Sequence, residues 1–142
     1  MAEKIKVLFL CTGNSCRSQM AEAWTNHLKG DRFQAHSAGT IAKGLDPRAV
    51  AVMAEAGIDI SGQRSKTVDD LPETTRDLVI TLCGDAHETC PYFPGSTKVI
   101  HRGFDDPPRI AEGTPDEEAA MAYFRRVRDE IRDFVMTLEG KV

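Results

Sequence analysis

The amino-acid sequence predicts an α/β fold of three layers, with a four-stranded parallel sheet that carries helices on both of its faces. Short apolar runs alternate along the chain with longer helical patterns, which is the order that parallel sheets require. The chain of 142 residues, 41% hydrophobic and 28% charged, suits one globular domain with one core. Because no internal repeat, low-complexity tract or linker divides it, we expect residues 1–142 to form a single domain.

Each predicted strand is a short apolar run, and these runs cover residues 5–10, 33–37, 78–82 and 98–101. Helical patterns follow at residues 19–28, 47–56 and 117–138. Two long stretches, 58–76 and 103–113, are predicted to be irregular. Long irregular stretches in a compact domain are commonly functional, so both are candidates for a site.

The ends of two helices carry recognisable signals. The second helix has Asp46 as its expected N-cap, Pro47 at its first position and Gly57 just beyond its end. The last helix is expected to open at Thr114-Pro115. These signals support the assignment of both segments as helices between the strands.

Composition and charge exclude several functional classes. No apolar run approaches the roughly 18 residues of a membrane span, and the first residues are too polar to open a signal peptide. We therefore expect a cytoplasmic protein with no membrane partner. The formal net charge of −4 argues against nucleic acid or an anionic membrane as a ligand. In a reducing compartment the four cysteines are expected to be reactive thiols and not structural disulfides.

The most informative segment follows the first predicted strand and reads Cys11-Thr12-Gly13-Asn14-Ser15-Cys16-Arg17-Ser18. A strand that ends in a Gly-containing loop, followed at once by a helix, directs backbone N–H groups and the positive helix end at one point. Arg17 adds a planar, permanently charged guanidinium that matches two oxygens of a tetrahedral anion. The residues expected to bind that anion are Thr12, Gly13, Asn14, Ser15, Cys16 and Arg17.

Within this segment, called the nucleophile loop below (residues 11–18), Cys11 is the expected nucleophile. The local positive field favours its thiolate form, and the Ser18 hydroxyl can donate a hydrogen bond to the sulfur. The loop therefore predicts attack by a thiolate on a phosphate-like centre. The less specific alternative is a buried structural cysteine beside a solvated arginine. The side chain of Cys16 is expected to point into packing and to serve a structural role.

Thiolate attack also requires an acid, because the oxygen that leaves the attacked centre must be protonated. Asp105 and Asp106 lie in the stretch 103–113, directly before Pro107. Pro107 disfavours a helical conformation for the residue before it, so Asp106 is better placed than Asp105 as the general acid. The alternative is that the two carboxylates only form a polar turn.

Two further cysteines follow the third predicted strand. Cys83 lies at the same sheet edge as Cys11, and Cys90 comes seven residues later. If residues 84–90 formed a short helix, that step would span roughly 10.5 Å, more than the Cα separation of about 7 Å that a disulfide tolerates. Cys83 and Cys90 could then pair only if the helix unwound. Two alternatives stay open: a pair of small buried residues, or, with His87, a metal site that lacks a convincing fourth ligand.

Together these motifs resemble the thioredoxin-coupled arsenate reductases, which share the fold of the low-molecular-weight protein tyrosine phosphatases. The resemblance runs over nearly the whole chain and is carried by residues 11–22, 37–39, 57–61, 81–85, 90–91, 103–107 and 126–131. It implies a flavodoxin-like topology for the sheet and one catalytic domain. Phosphatases usually have proline where this chain has Gln19 and tyrosine where it has Pro108, and they lack the pair Cys83 and Cys90.

The resemblance implies a mechanism with three thiols. Cys11 would attack arsenate held by the nucleophile loop and Arg17, while Asp106 protonates the departing oxygen. Cys83 would then attack Cys11 and release arsenite, and Cys90 would attack Cys83, which moves the disulfide away from the nucleophile. Thioredoxin would reduce that disulfide. No cofactor is expected, since the thiols supply the electrons, and phosphate or sulfate should compete with arsenate.

Two other functions remain open on the sequence. A phosphatase would use the same loop, because donors that bind arsenate also bind phosphate, and weak phosphatase activity is expected in any case. A non-catalytic sensor would hold trivalent arsenic or a metal with three cysteines at rest.

The chain departs from some of these relatives at a cation site. Those relatives bind potassium through residues matching Asn14, Glu22 and Ser37, together with an aspartate at the position held here by Lys66. An ammonium cannot ligate a cation, but it can occupy the cation's place and pair with Glu22. We therefore expect no potassium site and no dependence of activity on potassium. The alternative is that Lys66 faces solvent.

Overall fold

Parallel strands form the sheet of the computed structural model, which describes residues 4–71, 77–83 and 98–141. The strands are β1 (Ile5–Cys11), β2 (Phe33–Gly39), β3 (Leu78–Cys83) and β4 (Lys98–Phe104). Their order in the four-stranded sheet is β2-β1-β3-β4. The predicted α/β class and the parallel four-stranded sheet are therefore confirmed. Each strand extends one to three residues beyond its predicted run, to Cys11, Gly39, Cys83 and Phe104.

Helices follow the strands within the described ranges, namely α1 (Arg17–Leu28), α2 (Pro47–Glu55), α3 (Pro107–Glu112) and α4 (Glu117–Val135). Short 3₁₀ helices lie at Val68–Asp70 and Leu138–Lys141. The predicted start of α2 is confirmed, since the Asp46 side chain accepts a hydrogen bond from the Arg48 N–H. Beyond the helix, Gly57 has a φ of +86°, a conformation that favours glycine.

The prediction of an irregular stretch over residues 103–113 is wrong. The strand β4 continues to Phe104, and α3 begins at Pro107. Asp106 is extended, with φ −90° and ψ 102°, as expected of a residue before proline, and it serves as the N-cap position of α3. The fixed φ of Pro107 suits the first turn of a helix, so the same proline that keeps Asp106 extended also starts α3.

The last helix begins at Glu117, as predicted, but its N-cap and its last residue differ from the prediction. The N-cap of α4 is Asp116 and not Thr114, because the Asp116 carboxylate accepts a hydrogen bond from the Ala119 N–H at 2.7 Å. The helix ends at Val135, and Leu138 belongs to the 3₁₀ helix that follows. Leu138 is nevertheless fully buried, so the apolar pattern continues across the change of helix type.

The main core lies between one face of the sheet and the α-helices. In β1, Val7, Phe9 and Cys11 point to this face, and Leu8 and Leu10 point to the other. The helices contribute Met20, Trp24, Val52, Met53, Ala111, Phe124, Val127 and Ile131 to the main core. On the second face, side chains at both ends of the 3₁₀ helix Val68–Asp70 pack against the sheet, so the described chain covers both faces.

This arrangement sets the position of the candidate site. Cys11 pairs with Gly39 in β2, while Leu10 pairs with Thr81 in β3, so the carboxyl ends of these central strands meet at one edge. Ligands in open parallel sheets bind beyond this edge. No helix within the described ranges is long and apolar enough to cross a membrane.

Candidate active site

The nucleophile loop is held in place by its carbonyl groups. The C=O groups of Thr12, Gly13 and Ser15 accept hydrogen bonds of 2.9 to 3.2 Å from backbone N–H groups in residues 40–46. In a planar trans peptide, the C=O and the following N–H point in opposite directions. The anchoring therefore directs the N–H groups of Gly13, Asn14 and Cys16 away from residues 40–46.

Within the described part of the chain, these N–H groups have no hydrogen-bond acceptor. Gly13, Asn14 and Cys16 are buried, and no described residue accepts a hydrogen bond from their N–H groups or from that of Ser15. Asn14 has a φ of +49°, and a left-handed residue within such a loop gathers successive N–H groups into an anion-binding concavity. Because each unsatisfied buried N–H costs about 1–3 kcal/mol, this concentration of donors indicates an anionic ligand.

Cys11 is held within a short chain of hydrogen bonds. It is 3% exposed, and its Sγ lies 2.9 Å from the Ser18 Oγ. Asn14 Nδ2 donates to the same Ser18 oxygen at 2.8 Å. A hydroxyl that already accepts from an amide directs its own hydrogen at another acceptor, and the Cys11 sulfur is the partner within reach. The contact between Ser18 and the Cys11 sulfur that the sequence predicted is therefore present.

Arg17 joins the nucleophile loop to the ends of two other strands. Its side chain is 3% exposed, and Nη1 donates to the C=O groups of Leu82 at 3.2 Å and Phe104 at 3.1 Å. Its Nη2 lies 3.8 Å from the Asp106 Oδ2. The planar guanidinium therefore contacts the end of β3, the end of β4 and the candidate acid at once.

The two neighbouring aspartates have different partners. The side chain of Asp106 is 32% exposed and borders the cavity described below. Asp105 turns away from the cavity and accepts a hydrogen bond from Arg126 Nη2 at 2.9 Å. That hydrogen bond raises the pKa of Arg126. Of the two carboxylates, Asp106 is the one placed to act on a ligand bound beside Cys11.

These side chains line one cavity of about 340 Å³ at the carboxyl edge of the sheet. Its lining residues are Cys11, Thr12, Gly13, Ser15, Cys16, Arg17, Lys43, Asp106, Pro108 and Arg109. A cysteine sulfur, the nucleophile loop, guanidinium groups and a carboxyl group thus border one space. The arrangement suits attack by sulfur on a tetrahedral oxyanion, with proton transfer to a departing oxygen.

Comparison with known proteins identifies the family. Residues 6–142 match the model of the low molecular weight phosphotyrosine protein phosphatases. The chain belongs to this family. Within it, the chain is 55% identical over 131 residues to the arsenate reductase of Bacillus subtilis (strain 168), covering 92% of this chain and 91% of that one. It is 56% identical over 128 residues to the arsenate reductase of Bacillus licheniformis, covering 90% of each.

Solved structures of the phosphatase family have the same fold. An arsenate reductase in the phosphate binding state superposes with a TM-score of 0.78 at 32% identity, covering 97% of this chain and 98% of that one. A low molecular weight protein tyrosine phosphatase from T. tengcongensis gives a TM-score of 0.72 at 27% identity, covering 98% and 100%. Reductases and a phosphatase thus share this architecture, and the fold alone does not separate the two activities.

The remaining cysteines occupy different positions in this phosphatase-family fold. Cys16, whose side chain is expected to pack, is 2% exposed within the main core and also borders the cavity. Burial raises the pKa of the Cys16 thiol well above its ordinary value, and the nearby Asp46 carboxylate adds to the rise. The thiol form of Cys16 is therefore favoured over the thiolate. The backbone of Cys83 ends β3, whereas Cys90 and His87 lie outside the described residues.

A network of amide side chains supports the loop, and the sequence reasoning missed it. Gln19 Nε2 donates to the Asn14 Oδ1 at 3.0 Å and to the Arg64 C=O at 3.0 Å. Gln63 Nε2 in turn donates to the Gln19 Oε1 at 2.7 Å. Gln19 stands where phosphatases of the family usually have proline, which could make none of these contacts. The presence of glutamine instead of proline at position 19 could have indicated this network, but nothing in the sequence identified Gln63.

The Lys66 ammonium group lies beside Glu22, where the sequence predicts that it replaces a bound cation. Its Nζ lies 3.7 Å from the Glu22 Oε1 and donates to the Arg64 C=O at 3.0 Å. Glu22 also accepts a hydrogen bond from Ser37 Oγ at 2.9 Å, and the Lys66 N–H donates to the Asn14 Oδ1 at 2.8 Å. The Lys66 side chain is 12% exposed, so it does not face solvent. Among the described residues, no cluster of three His, Cys, Asp or Glu side chains could hold a metal ion.

Proposed function

We propose that this protein is an arsenate reductase that works through three cysteines and is regenerated by thioredoxin. The observation that carries the proposal is the placement of Cys11 and Cys83 at the carboxyl ends of adjacent strands. A strand spacing of about 4.8 Å and an offset of one residue correspond to a Cα separation of roughly 6 Å. That separation suits a disulfide. The relatives named arsenate reductase, similar over about nine tenths of the chain, support arsenate reduction as the activity.

In the first step, Cys11 attacks arsenic. The Cys11 thiolate forms a sulfur–arsenic bond to arsenate bound by the loop N–H groups and Arg17. One arsenic–oxygen bond breaks, and Asp106 donates a proton so that the oxygen departs as water. The contact between Arg17 and Asp106 keeps the acid beside the bound oxyanion.

In the second step, the arsenic is reduced. The Cys83 thiolate attacks the sulfur of Cys11, a disulfide forms, and the sulfur–arsenic bond breaks. The electron pair of that bond stays with arsenic, which leaves as trivalent arsenite, while the two thiols are oxidised to one disulfide. The Arg17 side chain holds the C=O of Leu82, the residue before Cys83, and so positions the attacking segment.

The third step restores the nucleophile. The Cys90 thiolate attacks Cys83, which releases Cys11 as a thiolate and leaves a Cys83–Cys90 disulfide. The dithiol of thioredoxin then reduces this bridge and becomes a disulfide itself. Thiol chemistry of this kind fits the reducing cytoplasm that we expect for the protein.

A second, weaker activity follows from the same loop. Phosphate has the shape and charge of arsenate, so the donors that bind one also bind the other, and we expect slow hydrolysis of phosphate monoesters. Hydrolysis needs Cys11, Arg17 and Asp106 but neither Cys83 nor Cys90. This difference allows the two activities to be separated by substitution.

The proposal is tested by following NADPH oxidation with arsenate, thioredoxin and thioredoxin reductase. We expect sustained turnover by the unmodified protein. Cys90→Ser should lose sustained turnover, because the disulfide stays on Cys11, yet it should hydrolyse p-nitrophenyl phosphate at the original rate. Sustained arsenate reduction by Cys90→Ser would refute the three-thiol mechanism. Phosphatase activity without arsenate reduction in the unmodified protein would favour the phosphatase alternative.

A further inference from the structure

A lysine at the mouth of the active-site cavity has no part in the mechanism described so far. Lys43 borders the cavity, and its backbone N–H donates to the Gly13 C=O at 2.9 Å. Its side chain lies across the same glycine. A Cβ on Gly13 would come 2.8 Å from the Lys43 Cδ and 3.1 Å from its Cγ. The absence of a side chain at Gly13 thus makes room for the lysine stem over the nucleophile loop.

The charge of Lys43 has no opposite charge paired with it among the residues that the structure describes. Among the described residues, no carboxylate forms an ion pair with its ammonium group, whereas Lys29 is paired with Glu139 at 2.9 Å and Lys66 with Glu22 at 3.7 Å. An ammonium on a flexible stem at this position adds positive potential at the entrance of the cavity.

The positive potential of Lys43 helps the cavity to attract an anion. Two arginines, Arg17 and Arg109, border the cavity together with two groups that are negative when ionised, Cys11 and Asp106. The whole chain carries a formal charge of −4. A doubly charged oxyanion that approaches the cavity therefore meets a negative protein, and the loop N–H groups attract it only at short range. Lys43 opposes this repulsion where the anion enters.

We propose that Lys43 is a specificity-determining residue that captures doubly charged oxyanions at the mouth of the cavity. The proposal rests on the proposed function in so far as arsenate is the anion captured, but inorganic phosphate tests it without any redox chemistry. Coulomb attraction is proportional to the charge of the ligand, so Lys43 favours dianions over monoanions. For charges several ångströms apart in a wet site, we expect about a three- to tenfold effect on dianion affinity.

The experiment measures how inorganic phosphate protects Cys11 from alkylation by iodoacetamide, an uncharged reagent. Mass spectrometry of the Cys11 peptide gives the alkylation rate at each phosphate concentration, and the concentration dependence gives the phosphate affinity. Lys43→Met removes the charge and keeps a stem of similar length. Lys43→Arg keeps the charge. Lys4→Met, at the opposite end of β1 from Cys11, is the matched control for the loss of one surface charge.

At low ionic strength, Lys43→Met should weaken phosphate binding by about three- to tenfold, and Lys43→Arg should bind within about twofold of the unmodified protein. Added potassium chloride at about 0.3 M should remove most of the difference, because it screens exposed charges. Perchlorate, a tetrahedral monoanion, should show a smaller loss in Lys43→Met than phosphate does.

Three results would overturn the proposal. One is unchanged phosphate affinity in Lys43→Met at low ionic strength. Another is an equal loss in Lys4→Met, which would assign the effect to net charge. The third is a loss of phosphate affinity in Lys43→Ala but not in Lys43→Met. That result would assign the effect to the packing of the lysine stem on Gly13 and not to its charge. Failure of the unmodified protein to reduce arsenate would refute the proposed function but would leave the phosphate result standing.

Discussion

Arg17 is the residue through which the separate parts of the site meet. One nitrogen of its side chain donates hydrogen bonds to the C=O groups at the ends of β3 and β4, and another lies near Asp106. A lysine side chain has a single nitrogen and could not contact both C=O groups and Asp106 at the same time. The guanidinium therefore fixes the relative positions of the nucleophile loop, the acid and the backbone before Cys83.

The contrast between the neighbouring aspartates yields a prediction about the acid. Asp106→Asn should slow the chemical step on phosphate esters with poor leaving groups by about two to four orders of magnitude, the usual contribution of a general acid. Asp105→Asn should have a much smaller effect, because that carboxylate is paired with Arg126 outside the cavity. Rates with a series of aryl phosphates would compare the two variants. A larger loss in Asp105→Asn would show that the wrong carboxylate has been assigned.

The position of Lys66 yields a prediction about cations. With its ammonium beside Glu22 and its N–H bonded to Asn14, the loop is already ordered, so the rate of arsenate reduction should be the same in sodium and potassium salts. Lys66→Asp should create a dependence on potassium, with a several-fold lower rate in sodium. Kinetics at fixed ionic strength would measure both. Strong potassium activation of the unmodified protein would contradict this explanation.

At the level of secondary structure elements, β2 approaches the nucleophile loop because it ends in glycine. A Cβ on Gly39 would lie 2.7 Å from the Thr12 C=O oxygen and 2.8 Å from the Asn14 nitrogen, both backbone atoms that have little room to move. The end of β2 therefore supports the loop by close backbone packing, in addition to the hydrogen bonds from residues 40–46.

Gly39→Ala should consequently displace the loop. We expect phosphate affinity to fall by about 10- to 100-fold, as a shift of about 1 Å in a binding site can produce. Gly62→Ala is the matched control, since a Cβ there meets no atom within 4 Å. Protection of Cys11 from alkylation measures the binding, and a thermal melt reports whether the fold is retained. Equal phosphate affinity in the two variants would show that the loop tolerates displacement at Gly39.

The ion pairs between α2 and α4 yield a prediction about pH. Hydrogen bonds from Arg125 hold the pKa of Glu55 below its ordinary value of 4.5, with smaller contributions from the charges of Arg125 and Arg128. A carboxyl group whose pKa is lowered by folding contributes stability above its unfolded pKa and loses it as the pH falls through the folded value. Glu55 should therefore stabilise the fold at neutral pH and cease to do so in acid.

Glu55→Gln should lower the midpoint of urea unfolding slightly at pH 7. The difference from the unmodified protein should vanish when the pH falls well below 4.5 and should shrink with added salt, since the pair is exposed. Glu112→Gln, an exposed residue at the end of α3, serves as the control. A destabilisation by Glu55→Gln that persists unchanged in acid would assign the effect to packing.

For the whole molecule, the sequence predicted the fold and the central residues of the site, because the governing interactions are local in the chain. The apolar runs specified the strands, and residues 11–18 placed the nucleophile, the anion-binding loop and the start of α1 within one segment. The topology of a parallel sheet then brought Cys83 to the edge that holds Cys11, which the alternation of strands and helices already required.

Contacts between distant segments could not be predicted in this way. Gln63 and Lys43 each lie far from residues 11–18 in sequence, and no periodicity or motif marks them. The helix α3 was missed because it is six residues long and begins with two prolines, which indicate a loop as readily as a first turn. The positions that escaped prediction are therefore those where long-range packing, and not local pattern, determines the contact.

The proposed reaction depends on a disulfide bond that forms between Cys11 and Cys83 as arsenic is reduced. It is tested most directly by mixing fully reduced Cys90→Ser with arsenate, without thioredoxin, then quenching in acid and mapping disulfides by mass spectrometry. We expect one arsenite released per protein molecule and a disulfide that joins Cys11 to Cys83. Arsenite release without that disulfide, or a disulfide from Cys11 to Cys16, would contradict it.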